Sequence, residues 1–308
     1  MKFATIEHTS GPAAAVAVSE DEVAVLPAEF TDVEAILRAS EAQRLAAIRE
    51  ATEAGERLPV AELSWLPPVL RPGKVLCVAL NNSANPERIL SGPDTPAMFL
   101  KPSSSLVGHG RPIRLRENDG RVHPEPELAV IVGRAGADIA EDAAMSHVFG
   151  YTILNDVTSP TLRGEDTFHY RAIHPDPETA DGVRFVESWV SYPARYKGAD
   201  TFGPLGPWVI TAEDIPDPHD LRITCSHNGR LVTDDTTANL RFGVAEVISF
   251  ASRYLTLEPG DVIGMGTALR SSPGAGSAVQ NLDLNRFGGL VEVSIDRIGT
   301  LANPVQLR

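Results

Sequence analysis

Two glutamates separated by a single residue, Glu125 and Glu127, stand at the head of the apolar run Leu128-Ala129-Val130-Ile131-Val132-Gly133. On a buried strand residues i and i+2 point the same way, so both carboxylates project into one space. Like charges held that close require a cation or a proton between them. A third carboxylate, Asp156, ends the run Gly150-Tyr151-Thr152-Ile153-Leu154-Asn155, a second short strand reached through a helical segment. Three oxygen ligands without a thiolate or a histidine pair favour a hard cation, Mg2+ or Mn2+, over Zn2+. Taken alone, Glu-x-Glu also describes a solvated strand end, so the surrounding elements must decide.

Those elements fall into two parts. Residues 1 to about 68 read as a small α+β unit of short strands over Phe3-Ala4-Thr5-Ile6, Ala14 to Val18 and Glu22 to Leu26. A helix follows that is capped by Thr31 with Glu34 as its capping box, then a second over Ser40 to Glu53 with Leu45, Ile48 and Ala51 on one side. The proline-rich boundary Leu66-Pro67-Pro68-Val69-Leu70-Arg71-Pro72-Gly73 leads into a larger domain over 72–308. Its frequent short strands and tight turns, Asn228-Gly229 among them, with one helix over about Phe242 to Tyr254, predict a mainly β barrel or roll with some α.

Composition narrows the partners. The 308 residues suffice for a sizeable core, and 43% apolar with 22% charged residues is ordinary for a soluble globular protein. The formal charge of −14, with no basic stripe, argues against nucleic acid and anionic membrane as partners. Any anionic substrate then needs local positive charge. Cys77 and Cys225 lie in apolar contexts and read as reduced core thiols. Neither a signal peptide nor a spanning segment is evident, so an intracellular, cytoplasmic location is expected.

Several runs together resemble the fumarylacetoacetate hydrolase family: Val75 to Asn81, Phe99 to Pro102, Glu125 to Gly133, Gly150 to Val157, Lys197 to Trp208, Leu257 to Ile263 and Gly266-Thr267. They follow the family's order over about 72–308. The resemblance implies a β-roll catalytic domain, Glu125, Glu127 and Asp156 as ligands of Mg2+ or Mn2+, Lys197 as the catalytic lysine beside the metal, and a homodimer. Thr267 falls on the family's substrate-binding threonine, and Lys101, in the Phe99 to Pro102 run, joins it. Such enzymes act on small-molecule 2-oxo acids and β-diketo acids, which chelate the cation; the cation stabilises the enolate formed when a carbon–carbon bond breaks. From the residues alone, Lys197 also reads as a surface lysine paired with Asp200.

The sequence departs from the family where water is usually activated. The family's Asn-Tyr-x-x-His-x-x-Glu is here Asn81-Asn82-Ser83-Ala84-Asn85-Pro86-Glu87-Arg88, and asparagine cannot serve as a general base. Arg88 is then expected to meet a substrate carboxylate. The usual Asn-Asp-Val-Ser-Ala-Arg has become Asn155-Asp156-Val157-Thr158-Ser159-Pro160, Thr-Gly-Thr-Pro has become Met265-Gly266-Thr267-Ala268, and Thr233 replaces a glutamine. The gap between Asp156 and Lys197 exceeds the family's spacing and reads as a long loop, with His169 or Glu165 as the replacement base. His123 could orient Glu125 or simply be exposed, and His109 sits in a turn near the cleft. The expected activity is cation-dependent carbon–carbon hydrolysis of an acylpyruvate-like 2-oxo acid. The alternatives are a lyase, dehydrating 2-oxo-3-deoxy sugar acids or decarboxylating, and a homologue that binds a metal and a small acid without turnover.

Overall fold

The computed structural model describes residues 1–84, 89–270 and 279–308. The N-terminal segment supplies β1 (Lys2–His8), β2 (Gly11–Ala17), β3 (Glu22–Val25), α1 (Val33–Arg38), α2 (Glu41–Ala54), β4 (Arg57–Pro59) and β5 (Trp65–Leu66). Next come β6 (Val75–Ala79), β7 (Ala97–Lys101), β8 (Leu106–Val107), β9 (Ile113–Leu115), β10 (Pro126–Val132), α3 (Glu141–Ala144), β11 (Val148–Asn155) and α4 (Pro160–Glu165). The ribbon β12 (Thr167–Pro175) and β13 (Val183–Ser191) precedes α5 (Ala194–Gly198), β14 (Gly203–Thr211), β15 (Arg222–His227) and β16 (Arg230–Thr236). The chain finishes with α6 (Val244–Ser252), β17 (Val262–Gly264), α7 (Leu284–Phe287), β18 (Gly289–Ile295) and β19 (Gly299–Leu307).

The result is a sheet-dominated α+β fold. A twelve-stranded sheet runs β4-β3-β2-β1-β14-β11-β10-β17-β6-β7, with β5 on β1 and β8 on β14. A second sheet runs β16-β15-β18-β19-β9. β10 and β14 are buried at every position, as expected for strands covered on both faces, and this explains their continuous apolar runs. At the Asn228-Gly229 turn both residues have positive φ, 52° and 75°, which matches the hairpin twist between β15 and β16.

Residues 1–68 do not stand apart from this sheet. β1 pairs with β14 through Lys2↔Ile210 and Phe3↔Val209. Phe3, Val16, Val33 and Ile36 share one apolar cluster with Ile131, Leu154 and Val209. The physical reason is size, since a few short, alanine-rich strands bury too little apolar surface by themselves.

Three local expectations need correction. Asp32, not Thr31, caps α1: one carboxylate oxygen accepts from Ala35 N at 2.9 Å and the other from Leu70 N at 3.2 Å. The Ser40 capping box of α2 closes with Gln43, and its buried face is Ala47 and Ala51, while Leu45 is 49% exposed. Two alanines one turn apart let the helix lie close to the sheet, where a leucine does not fit. The long loop expected between Asp156 and Lys197 is instead a two-stranded ribbon.

Candidate metal centre

Antiparallel pairing of β10 with β11 assembles the carboxylates. The register Pro126↔Asn155 and Glu127↔Leu154 puts Glu125 directly across from Asp156. Asp156 N donates to Glu125 O at 2.9 Å, and Glu125 N donates to Asn155 Oδ1 at 2.9 Å, so backbone and side chain both lock the strand ends together. Carboxylate oxygens of Glu125, Glu127 and Asp156 all lie within 4.8 Å of one another. Strand β17 covers them from the other side, and a Cβ on Gly264 would sit 2.6 Å from Glu127 Oε2. Gly266, at φ 100°, turns its N–H onto that same oxygen at 3.1 Å.

Two buried ammonium groups answer the negative charge. Lys197, on α5, donates to Glu125 Oε2 at 2.8 Å and to Asp156 Oδ2 at 2.5 Å. Lys101, at the end of β7, donates to Asp156 Oδ1 at 2.6 Å and to the Lys197 carbonyl. The Thr267 hydroxyl stands 2.8 Å from Glu125 Oε2 and 3.3 Å from Glu127 Oε1. Burial alone would raise Glu125, but the Lys197 ammonium, with help from His123 and Thr267, outweighs it and holds the carboxyl at about 2. Glu127 has no such partner; burial, then the Asp156 charge, pushes it well above the carboxylate range. Burial would lower Lys197, yet Asp156 and Glu125 hold it above the usual lysine range.

These groups open into a pocket of about 610 Å³ whose walls include Phe99, His123, Arg163, Tyr196, Lys197 and Thr267. Lys197 is therefore no surface lysine paired with Asp200. Lys101 does not line the pocket; its ammonium is consumed by Asp156 and the Lys197 carbonyl, which makes it a support and not a substrate contact. His169 is not at the centre either, because its ring stacks on Trp189 (3.9 Å between centroids, 3° between planes) on the exposed ribbon. Glu165 likewise points away, held by Arg195 at 2.8 Å. Arg88, with Asn85 and Glu87, lies outside the described residues. His109 receives the Ala302 N–H and packs its edge on Trp65, away from this pocket.

His123, weighed above as exposed or supporting, is the histidine brought into the pocket. It is 4% exposed, and its Nδ1 is 3.2 Å from Pro124 O and 3.8 Å from Glu125 Oε1. Burial lowers its pKa, so the ring is neutral near pH 7. With Nδ1–H given to Pro124 O, the lone pair is on Nε2, which makes no hydrogen bond among the described residues. The bridge His123↔Thr158 between the two ligand-bearing segments sets its position.

Residues 74–306 match the family model described as Fumarylacetoacetate (FAA) hydrolase C-terminal. The chain belongs to the fumarylacetoacetate hydrolase family. It is 34% identical over 246 residues to oxaloacetate tautomerase fahd2, mitochondrial, of Xenopus laevis, covering 80% of this chain and 69% of that protein. Among solved structures it resembles a fumarylacetoacetate hydrolase from Exiguobacterium antarcticum, with 30% identity, a TM-score of 0.78 and both chains covered completely. It also resembles the maleylpyruvate hydrolase of Sphingobium sp. SYK-6 in complex with manganese(II) and pyruvate, with 27% identity and a TM-score of 0.73, over 100% of this chain and 99% of that one.

In this member of the fumarylacetoacetate hydrolase family one supporting residue escapes sequence reasoning. Asp235, on β16, is fully buried, and its Oδ2 accepts from Asn82 Nδ2 (3.1 Å), Leu269 N (2.8 Å) and Arg270 N (3.0 Å). Its Oδ1 accepts from Thr236 N at 2.8 Å and Asn239 Nδ2 at 2.6 Å. One carboxylate thus ties the segment after β6 to the segment after Thr267, and both segments line the pocket. Nothing local marks Asp235 as inward, since Val232 and Thr233, on opposite faces of β16, are both buried. Burial would raise the pKa of Asp235, but the Arg270 N–H and the Asn239 amide outweigh it and hold it below the usual range. A depressed carboxyl stabilises the fold above its unfolded pKa and loses that contribution as pH falls through its folded pKa. Asp235→Asn is expected to cost about 1–3 kcal/mol at neutral pH and to flatten the acid limb. Thermal unfolding at about pH 7 and about pH 3.5 checks this, and parallel acid limbs would refute it.

Proposed function

We propose that the protein is a divalent-cation-dependent enzyme that cleaves a carbon–carbon bond in an acylpyruvate-like 2-oxo acid. The observation supporting this reading is the convergence of three carboxylates, the Lys197 ammonium, Thr267 and His123 on one pocket. The donor set fits Mg2+ or Mn2+: every ligand atom is a carboxylate oxygen, and Gly264 and Gly266 leave space and an N–H beside Glu127. With Glu127 protonated, two ionised carboxylates balance the two ammoniums, and a divalent cation that displaces the Glu127 proton leaves one net positive charge. When bound, such a cation supplies Lewis acidity to the substrate's carboxylate and keto oxygens.

The chain's own residues do the rest. Lys197, fixed by two carboxylates, sets positive charge where an enolate oxygen develops. His123 Nε2 takes a proton from water as the water oxygen bonds to the distal carbonyl carbon. The carbon–carbon bond then breaks, its electron pair forms the enolate of the 2-oxo acid, and a proton returns to carbon. Phe99 and Tyr196 give the pocket an apolar wall for the acyl portion.

A second reading is proton transfer without hydrolysis, as in a tautomerase or a lyase. It is favoured by one observation: among the described residues His123 is the only histidine in the pocket, and the only glutamates there are the two ligand residues. A proton NMR time course with acylpyruvates, oxaloacetate and 2-oxo-3-deoxy sugar acids, with and without chelator, separates the two. Chelator-sensitive release of pyruvate and an acid supports hydrolysis; enol–keto exchange or dehydration supports the second reading. Turnover of the panel that survives exhaustive chelation refutes both. Thr267→Val is expected to lower kcat/KM roughly tenfold to a hundredfold, because Glu125 and Glu127 lose the hydroxyl that orients them. An unchanged kcat/KM would remove Thr267 from the site. The buried thiols of Cys77 and Cys225 suit a reducing compartment, and the cytoplasm is the proposed location.

A further inference from the structure

Lys101 is buried where its ammonium meets neither solvent nor substrate, since its side chain is fully enclosed and does not line the pocket. An ammonium in such surroundings is tolerated only when its donors are satisfied, and a well-packed apolar side chain is often the more stable choice. The fold nevertheless places it with care. Lys101 closes β7 opposite Val75, and a Cβ on Gly198 would stand 2.7 Å from Pro102 Cδ, so α5 lies tight against the strand end. That approach puts the Lys197 carbonyl and Asp156 Oδ1 together within reach of one ammonium.

What Lys101 controls is visible in the oxygens of Asp156. Each is held by a different ammonium, Oδ1 by Lys101 at 2.6 Å and Oδ2 by Lys197 at 2.5 Å. The Lys197 ammonium also holds Glu125 Oε2 at 2.8 Å and lines the pocket, so Oδ2 is the oxygen turned towards the other carboxylates. Oδ1 is turned to the buried lysine. Among the described residues Asp156 is the only carboxylate paired with Lys101, and lending Oδ1 to a cation would strand that ammonium in a dry site. Cations differ in what they ask of a carboxylate. Mg2+ and Mn2+ take about six oxygens in octahedral geometry, whereas Ca2+ takes about six to eight at longer distance and readily accepts both oxygens of one carboxylate.

We propose that Lys101 is a metal-selectivity residue: by keeping Asp156 Oδ1 for itself it restricts Asp156 to a single ligand oxygen, which favours a small octahedral cation over Ca2+. This rests on the divalent-cation reading of the pocket given above. The two lysines then have separate tasks. Lys197 stands in the pocket beside the reacting atoms, and Lys101 acts through Asp156 as a positioning residue without touching substrate. A lysine that only neutralised the carboxylates would shift the affinity of every divalent cation alike, because the charge it adds is the same for all of them. One that withholds an oxygen changes the ratio between cations.

The test is titration calorimetry of the full chain with Mn2+ and, separately, with Ca2+. Wild type is expected to bind Mn2+ more tightly, and Lys101→Met to narrow the ratio at least about tenfold, chiefly by gaining Ca2+ affinity as Asp156 Oδ1 becomes free to join the cation. Glu127→Gln, titrated in parallel, identifies the site being read. If wild type binds neither cation, or Glu127→Gln binds both as well as wild type does, the cation reading fails and the proposal with it. If Mn2+ binds at this site but wild type prefers Ca2+, or Lys101→Met leaves the ratio unchanged, the role of Lys101 alone is refuted. Should Lys101→Met fail to fold, crystals of the wild-type protein grown with Ca2+ decide. Lys101 Nζ is expected to stay on Asp156 Oδ1, and Ca2+ held by both Asp156 oxygens would overturn the proposal.

Discussion

Replacing Glu127 by glutamine is expected to abolish turnover and to weaken Mn2+ binding at least about a hundredfold, since cation affinity in oxygen sites follows the number and charge of the ligands. Of the three carboxylates this is the one without an ammonium partner. Glu125 and Asp156 are both bonded to Lys197, whereas Glu127 faces only Gly266 N–H, Thr267 and its like-charged neighbours. Its proton is held by burial and by those neighbours, so the cation must displace that proton to bind, and affinity should rise with pH. The substitution keeps the shape of the side chain and, like the protonated carboxyl of the metal-free fold, is neutral, so the variant should remain folded. Titration calorimetry with Mn2+ checks the result; wild-type affinity in Glu127→Gln would show that the cation binds elsewhere.

Lys197→Met has the opposite signature, with a large effect on the metal-free fold. Removing one partner of a buried ion pair costs about 3–5 kcal/mol, because the carboxylates of Glu125 and Asp156 stay behind in a dry site. At about 2–4 °C per kcal/mol the melting temperature should fall by roughly 6–20 °C. The lysine is raised in the folded state, so its contribution is complete below the ordinary lysine pKa and is lost only as pH rises through the folded value. The deficit is therefore at full size at neutral pH. It should narrow as pH falls, because a buried carboxylate left without its ammonium is relieved by taking up a proton. Mn2+ should restore more stability to the variant than to the wild type, because the cation replaces missing positive charge. A variant melting within about 2 °C of wild type would contradict this account.

The carboxylate triad was legible because it depends on two local rules, alternation along β10 and a hairpin-like return through β11. Both are written in consecutive residues. The positions of Lys197 and Lys101 were visible only through family resemblance, and the division of labour between them was not visible at all. It rests on which ammonium faces the cavity, a property of packing between α5 and β7. His169 misled for a related reason: a histidine near the ligands in sequence was carried off by cross-strand pairing to stack on Trp189. His123 was ambiguous until the bridge to Thr158 fixed it inside. Asp235 carries no local signature, since its five donors come from segments up to 153 residues away.

The pairing of β6 with β17, Val75↔Val262 through Cys77↔Gly264, joins strands far apart in the chain. During synthesis β10 and β11 emerge with their three carboxylates well before β17 exists to cover them. At about 5–20 residues per second the interval between Asp156 and Val262 lasts roughly 5–20 s. Until β17 has emerged, the three carboxylates lack the strand that pairs with β10 beside them. Closure of the centre therefore waits on β17, and a chain terminated shortly before residue 262 would carry Glu125, Glu127 and Asp156 without the strand that encloses them.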